Sequence, residues 1–359
     1  MKHNWMITGM LIIFFLLAQF TGLLLLNKES QIILDPSTNS SKISFEDTSI
    51  GSRPDTAGAA SLIYIVIAIA IGTILVLIIA KYGKTNLWRT WFFLAVWMSV
   101  SVSIGALFHQ KLFFQYDIAI AIALLLTGWK VFRPNIFIHN LTEVLMYSGI
   151  GLIIVPIFDV KWALILLLVI SVYDMYAVWK SKHMIKMAQF QSQSNMFAGL
   201  MIPYQADEYN RNVKIISSYN SLKHPEDKKP AANASKSKSK AKTKSLREES
   251  DMTVNAIPKI RGGKTAPQNA ILGGGDIVFP LIFIGAVMNG LMLEMYNADP
   301  NIPLEAIKGA AFLQSSIIVF AATISLALLF IYAKKGKFYP AMPFLTAGCL
   351  VGWAITLLI

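Results

Sequence analysis

Apolar runs of about 20 residues recur along almost the whole chain, and this recurrence limits the possible folds more than any other feature. A hydrocarbon core of roughly 30 Å takes about 20 helical residues to cross. Within it, every backbone N–H and C=O must be satisfied inside the segment, which favours helices. Nine candidate spans are read at about 5–26, 60–80, 88–108, 113–129, 135–157, 161–180, 272–296, 306–333 and 340–359, the fourth and ninth being short. Charged residues make up 14% of the chain, against about 25% in an ordinary soluble domain. The fold class expected is an all-α polytopic membrane protein with nine transmembrane helices. The first run follows Lys2 and His3 but is too long for a signal-peptide core, and no small-x-small site closes it, so it is read as an uncleaved helix.

Orientation follows from where the cations fall. One set of loops carries Lys2; Lys81, Lys84 and Arg89; Lys130 and Arg133; the long 181–270 insert; and Lys334, Lys335 and Lys337. The alternate set carries the acidic 27–59 loop, short turns near Lys111 and Lys161, and a 297–305 turn with no Lys or Arg. The two sets alternate in register with nine spans. The basic side is therefore cytoplasmic, with the N-terminus inside and the C-terminus outside. The net charge of +12 is used up by these loops and the insert, and does not indicate nucleic acid.

Three parts follow. Residues 1–180 hold six spans and the outer loop 27–59, residues 181–270 form a cytoplasmic loop, and residues 271–359 hold three spans. Within the insert, 184–218 keeps apolar residues and is read as an interfacial or short helical segment. Residues 223–250, with AANASKSKSKAKTKS, lack the apolar content to repay ordering and are expected to be disordered.

Carboxylates inside spans cost about 2.5–3.5 kcal/mol at a helix centre, so each needs a reason. Asp174 lies in the sixth span, six residues before Lys180, or roughly 9 Å from the cytoplasmic end at about 1.5 Å per residue. Asp276 lies at a comparable depth near the start of the seventh, antiparallel span. Two acids at one depth can face each other. Held a few Å apart they cannot both ionise, so they share a proton. The ionised one takes a proton from water and the other donates to a scissile carbonyl. The titration belongs to the pair, and neither role is assigned to either residue.

Gly273, Gly274 and Gly275 precede Asp276 and weaken regular helix by about 1 kcal/mol each relative to Ala. They permit close backbone approach beside the acid. At the start of the ninth span, Tyr339-Pro340-Ala341-Met342-Pro343 denies a regular helical start and leaves backbone groups free. By topology this segment is level with both acids.

Together these pieces resemble the presenilin and signal peptide peptidase family of GxGD intramembrane aspartyl proteases, nearest to its archaeal or microbial presenilin-like homologues. The family pattern of YD, GxGD and PAL in the sixth, seventh and ninth helices reads here as Tyr173-Asp174, Gly273-Gly274-Gly275-Asp276 and Pro340-Ala341-Met342. Met342 stands where the family has Leu, a swap of similar volume. The resemblance implies that Asp174 and Asp276 are catalytic. It also implies that Gly273, Gly274, Gly275, Pro340, Ala341, Met342 and Pro343 shape the substrate cleft, with Tyr173 beside the nucleophilic water. Substrates would be single transmembrane helices, cleaved in a multi-pass protein of the cell membrane whose active site faces the cytoplasmic side. No cofactor and no metal are expected, and no HExxH or Cys/His cluster occurs. The partners expected are peptide substrates and the lipid bilayer, and a homo-oligomer is admitted without being indicated.

Other residues carry less. Glu143, with His139 one turn earlier, could serve catalysis or proton delivery but reads rather as an interfacial hydrogen-bonding pair. Asp117 and Glu294 fall near outer span ends and are expected to face water. Arg261-Gly262-Gly263-Lys264-Thr265 mimics a phosphate loop, but Pro258 stands at the required earlier glycine and no strand precedes it. Asn39-Ser40-Ser41 is a sequon on the outer side. Cys349 is the single cysteine, so no internal disulfide forms. The alternative function is a transporter or ion-leak pathway that uses the two aspartates as a relay, but the related halves such proteins usually show are absent. The prepilin peptidase type also uses GxGD. The Tyr-Asp of the preceding helix and the proline segment speak against it.

Overall fold

The computed structural model describes residues 5–35, 40–53, 58–82, 85–108, 115–133, 135–181, 198–203, 269–333 and 339–359. It has two compact units, one of Met1–Met201 with Ile271–Ile359 and one of Ile202–Ala270. The described residues of the second unit are its two ends alone. The 223–250 segment, the Arg261–Thr265 stretch and Asn39 lie outside the described residues, as does the side chain of Asp117.

Among the described residues the first unit contains nine α-helices: α1 (Trp5–Glu29), α2 (Ala59–Tyr82), α3 (Thr85–Leu107), α4 (Gln115–Phe132), α5 (Ile136–Ile154), α6 (Val160–Tyr176), α7 (Gly275–Ala298), α8 (Leu304–Tyr332) and α9 (Met342–Thr356). Seven of them are long and apolar enough to cross a membrane; the apolar part of α4 (Ile118–Phe132) and α9 are shorter. These two match the runs that read as short in the sequence. The breaks have local causes. Asn135 caps α5, its Oδ1 accepting from the Phe137 amide at 2.8 Å. Pro156 sits in the 3₁₀ turn Val155–Ile157 that ends α5 and turns the chain back into α6.

Burial is patterned for lipid. Ile63, Ile67, Ile71, Ile74 and Ile78 of α2 are exposed, as a hydrocarbon-facing surface requires. The core lies around α7, whose Ile277, Leu281, Phe283, Ile284 and Met288 are inaccessible. α7 packs against α1, α5, α6, α8 and α9. The α3–α5 crossing depends on Gly149, where an added Cβ would collide with the Ser99 carbonyl oxygen. Small residues of this kind let membrane helices meet backbone to backbone.

The 27–59 loop is not featureless. It forms an antiparallel hairpin of β1 (Ser30–Asp35) and β2 (Ser40–Phe45), in register from Ser30↔Phe45 to Asp35↔Ser40. Arg53 ties the hairpin's far end to the helices. Its Nε donates to the Glu46 carbonyl at 2.9 Å, Nη1 donates to the Leu152 carbonyl, and the guanidinium lies 5.3 Å from the Phe45 ring centre. Burial lowers this guanidinium from its ordinary value, and the Glu29 and Asp47 carboxylates oppose that shift.

A second pair of strands, β3 (Gly199–Pro203) and β4 (Asn269–Gly273), forms a two-stranded sheet. Where the apolar content of 184–218 suggested an interfacial or helical segment, its described part is extended. The reason is pairing: Gly199–Pro203 finds its hydrogen-bond partner in a strand some 70 residues later, which no local pattern reveals. β4 leads directly through Gly274 into α7.

Candidate active site

Asp174 occupies the last regular turn of α6, before the helix widens into a π-helical turn at Ala177–Ser181. It is 7% exposed. Its carboxylate meets the start of α9, where Met342 N–H donates to Oδ2 at 3.2 Å, with the Ala341 amide also close enough to interact. The sequence explains why that amide is available. The first N–H groups of a helix have no intrahelical acceptor, and Pro343 in the first turn of α9 removes one of the competing donors. Pro340 is buried and precedes the bend at Ala341. A carboxylate at a helix N-terminus is favoured by the aligned peptide dipoles as well as by the hydrogen bond.

Asp276 lies in the first turn of α7, half-buried, and is likewise placed at a helix N-terminus. Its Oδ2 is close to the end of β4: a Cβ added to Gly273 would fall 3.2 Å from it. The Gly274 carbonyl accepts from the Ile277 and Val278 amides at 3.1 and 3.0 Å, which starts the helix. Four residues after Asp276 stands Pro280, so the N–H that would normally bond the Asp276 carbonyl is missing. α6, α7 and α9 pack on one another, and the carboxylates of Asp174 and Asp276 are within electrostatic reach of each other.

The structure thus gathers Asp174, Asp276, Gly273, Gly274, Ala341 and Met342 at one end of the bundle, with Pro340 and Pro343 flanking the α9 start. Gly275 is exposed beside them. Tyr173 is 40% exposed, turned about 100° around the helix from its buried neighbour Asp174.

Two sequence readings change. Glu143 is not interfacial: it is wholly buried, and Lys130, counted above as a loop cation, turns inward from α4 to form an ion pair with its Oε1. Its other oxygen accepts from the Tyr147 hydroxyl. His139 lies 3.9 Å from Glu143 and bonds the Gly199 carbonyl at 2.9 Å. Tyr147 was not singled out in the sequence, although its four-residue spacing from Glu143 on one helix face was a signal. Glu294 is exposed, as its place near a span end suggested.

The model of the family described as signal-peptide peptidase, presenilin aspartyl protease matches residues 21–359. The chain belongs to this family. Solved structures similar to it include two of presenilin family proteins. A presenilin family intramembrane aspartate protease in space group C222 has 12% identity and a TM-score of 0.52, covering 98% of this chain and 98% of that one. A second, in space group P2, has 14% identity and a TM-score of 0.50, covering 97% and 96%. At such identity the likeness is one of fold. No curated protein matches the chain. This signal-peptide peptidase/presenilin member is thus an integral membrane protein of the intramembrane aspartyl protease class, with a mostly helical, presenilin-like fold.

Proposed function

We propose that this protein is a GxGD-type endopeptidase that hydrolyses peptide bonds within or near single-span transmembrane helices, using Asp174 and Asp276 as a general acid/base pair. The observation that carries the reading is the pair itself: one carboxylate on the Met342 amide, the other at the end of β4, each at a helix N-terminus. Two such acids share a proton in a medium that penalises a second charge. The ionised carboxylate takes a proton from water as its oxygen attacks the scissile carbonyl, and the protonated one donates to the carbonyl oxygen. The tetrahedral species then loses the amine, which takes a proton from the pair, and the C–N bond breaks. Gly273, Gly274, Gly275 and the 340–343 segment line the approach for substrate backbone, and Tyr173 flanks it. The chain would cross the cell membrane nine times, N-terminus in the cytoplasm and C-terminus outside, with the acids near the cytoplasmic face.

The test is incubation of the purified protein in detergent with a single-span peptide, beside Asp174→Ala and Asp276→Ala. Loss of cleavage by roughly 10²–10⁴-fold in both variants, with blockage of the wild type by a transition-state analogue of aspartyl proteases, is expected. Persistence of cleavage in either variant removes that residue from the mechanism.

A further inference from the structure

Four polar residues descend one side of α5: His139, Asn140, Glu143 and Tyr147. Spacings of four residues advance a helix by about 40° beyond a full turn, so His139, Glu143 and Tyr147 follow a single shallow spiral about 12 Å long. At its upper end the spiral holds β3. Asn140 makes two bonds to Met201, Nδ2 donating to the carbonyl and Oδ1 accepting from the amide, both 2.9 Å. This is the two-point exchange that a neighbouring strand would offer. His139 meets the Gly199 carbonyl at 2.9 Å; since a carbonyl only accepts, Nε2 carries the hydrogen.

At its lower end the spiral reaches the turn before Asp276. Both oxygens of Glu143 are taken, one by Lys130 of α4 and one by the Tyr147 hydroxyl. Tyr147 is 1% exposed. Its ring lies against Gly274: an added Cβ there would stand 2.9 Å from both Oη and Cε1, and 3.2 Å from Cζ. The hydroxyl is within electrostatic reach of Asp276 as well as of Glu143. The buried ion pair does not account for itself as a source of stability, because apolar residues of similar volume usually serve a core as well or better. What the pair does supply is a charged acceptor that holds one hydroxyl in one place.

We propose that Tyr147 is a positioning residue for the acid of α7. Anchored by the Lys130–Glu143 pair, its ring fixes Gly274 and so the direction in which α7 starts and Asp276 projects. The inference rests on the protease reading for its kinetic part. It makes a structural claim as well, independent of catalysis.

The experiment compares wild type, Tyr147→Phe, Lys130→Met and Lys130→Met/Glu143→Gln by steady-state cleavage of a single-span peptide and by backbone hydrogen exchange. Tyr147→Phe keeps the ring and loses the hydroxyl. Its kcat is expected to fall about tenfold or more with KM within about twofold, the pattern of a group that acts on the transition state and not on substrate binding. Exchange of the 273–278 amides is expected to accelerate while that of α8 stays unchanged. The double variant removes both charges but keeps an acceptor for Tyr147, so it is expected to recover part of the kcat that Lys130→Met loses. A Tyr147→Phe protein with wild-type kcat and wild-type exchange at 273–278 overturns the proposal. So does a double variant no better than Lys130→Met, and this second arm decides the question should Tyr147→Phe fail to fold. If the wild type shows no cleavage that depends on Asp174 and Asp276, the protease reading fails, and the exchange comparison still decides whether Tyr147 holds the turn.

Discussion

The Met342 amide donates to Oδ2 of Asp174 across 3.2 Å, so the start of α9 is locked to the end of α6 by one of the two acids proposed to be catalytic. The bond comes from main chain, and the side chain at that position is packed inside the bundle: Met342 is 3% exposed.

Met342→Leu should therefore leave cleavage within a few-fold of wild type and cost less than about 1.5 kcal/mol, as volume-conserving swaps do. Cleavage assays and a thermal melt check both parts. A large loss of activity would show that the side chain itself takes part.

Asp174→Asn keeps an oxygen for the Met342 amide and abolishes the ionisable acid. The variant should fold, melt at or above the wild-type temperature because a buried charge is gone, and lose cleavage by roughly 10²–10⁴-fold. A lowered melting temperature would mean that the charge stabilises the α6–α9 contact.

Gly274→Ala drives a methyl group into Tyr147, and that ring is held by Glu143 and has nowhere to go. Overpacking of this kind costs about 1–3 kcal/mol and should displace Asp276. Gly275→Ala meets nothing closer than Phe279 at 3.4 Å and should change stability by less than about 0.5 kcal/mol. Parallel melts of the two variants separate a shape requirement at Gly274 from a general need for glycine.

Lys130→Met leaves Glu143 buried without its countercharge and should destabilise by about 3–5 kcal/mol. Adding Glu143→Gln should return most of that loss. Equal melting temperatures for wild type and Lys130→Met would mean that the ion pair adds nothing net to stability.

Arg53→Met removes a half-buried cation that bonds the Glu46 and Leu152 carbonyls. Each bond to a charged donor is worth about 1.5–3 kcal/mol. The variant should melt lower and be cleaved faster by protease within 27–59, with the helical signal kept.

The helices were legible in the sequence because crossing lipid is a local property. A window of about 20 apolar residues satisfies its own backbone and declares itself without reference to the rest of the chain. The two aspartates were legible for the same reason, since a carboxylate in such a window stands out, and so were the proline and glycine stretches that interrupt regular helix. The partners of these groups were not. Lys130 reads as a loop cation until α4 packs beside α5 and turns it toward Glu143. Tyr147 is an ordinary aromatic in an apolar run until Gly274 comes to rest on its ring. The β1–β2 hairpin escaped notice because its strands are short, and the β3–β4 sheet because its bonds join residues some 70 apart in sequence. By itself the sequence determined which segments form apolar helices and which acids they carry. Tertiary structure decided what each buried polar group touches, because a hydrogen bond between helices depends on their relative rotation and depth, and both are set by packing across the whole bundle.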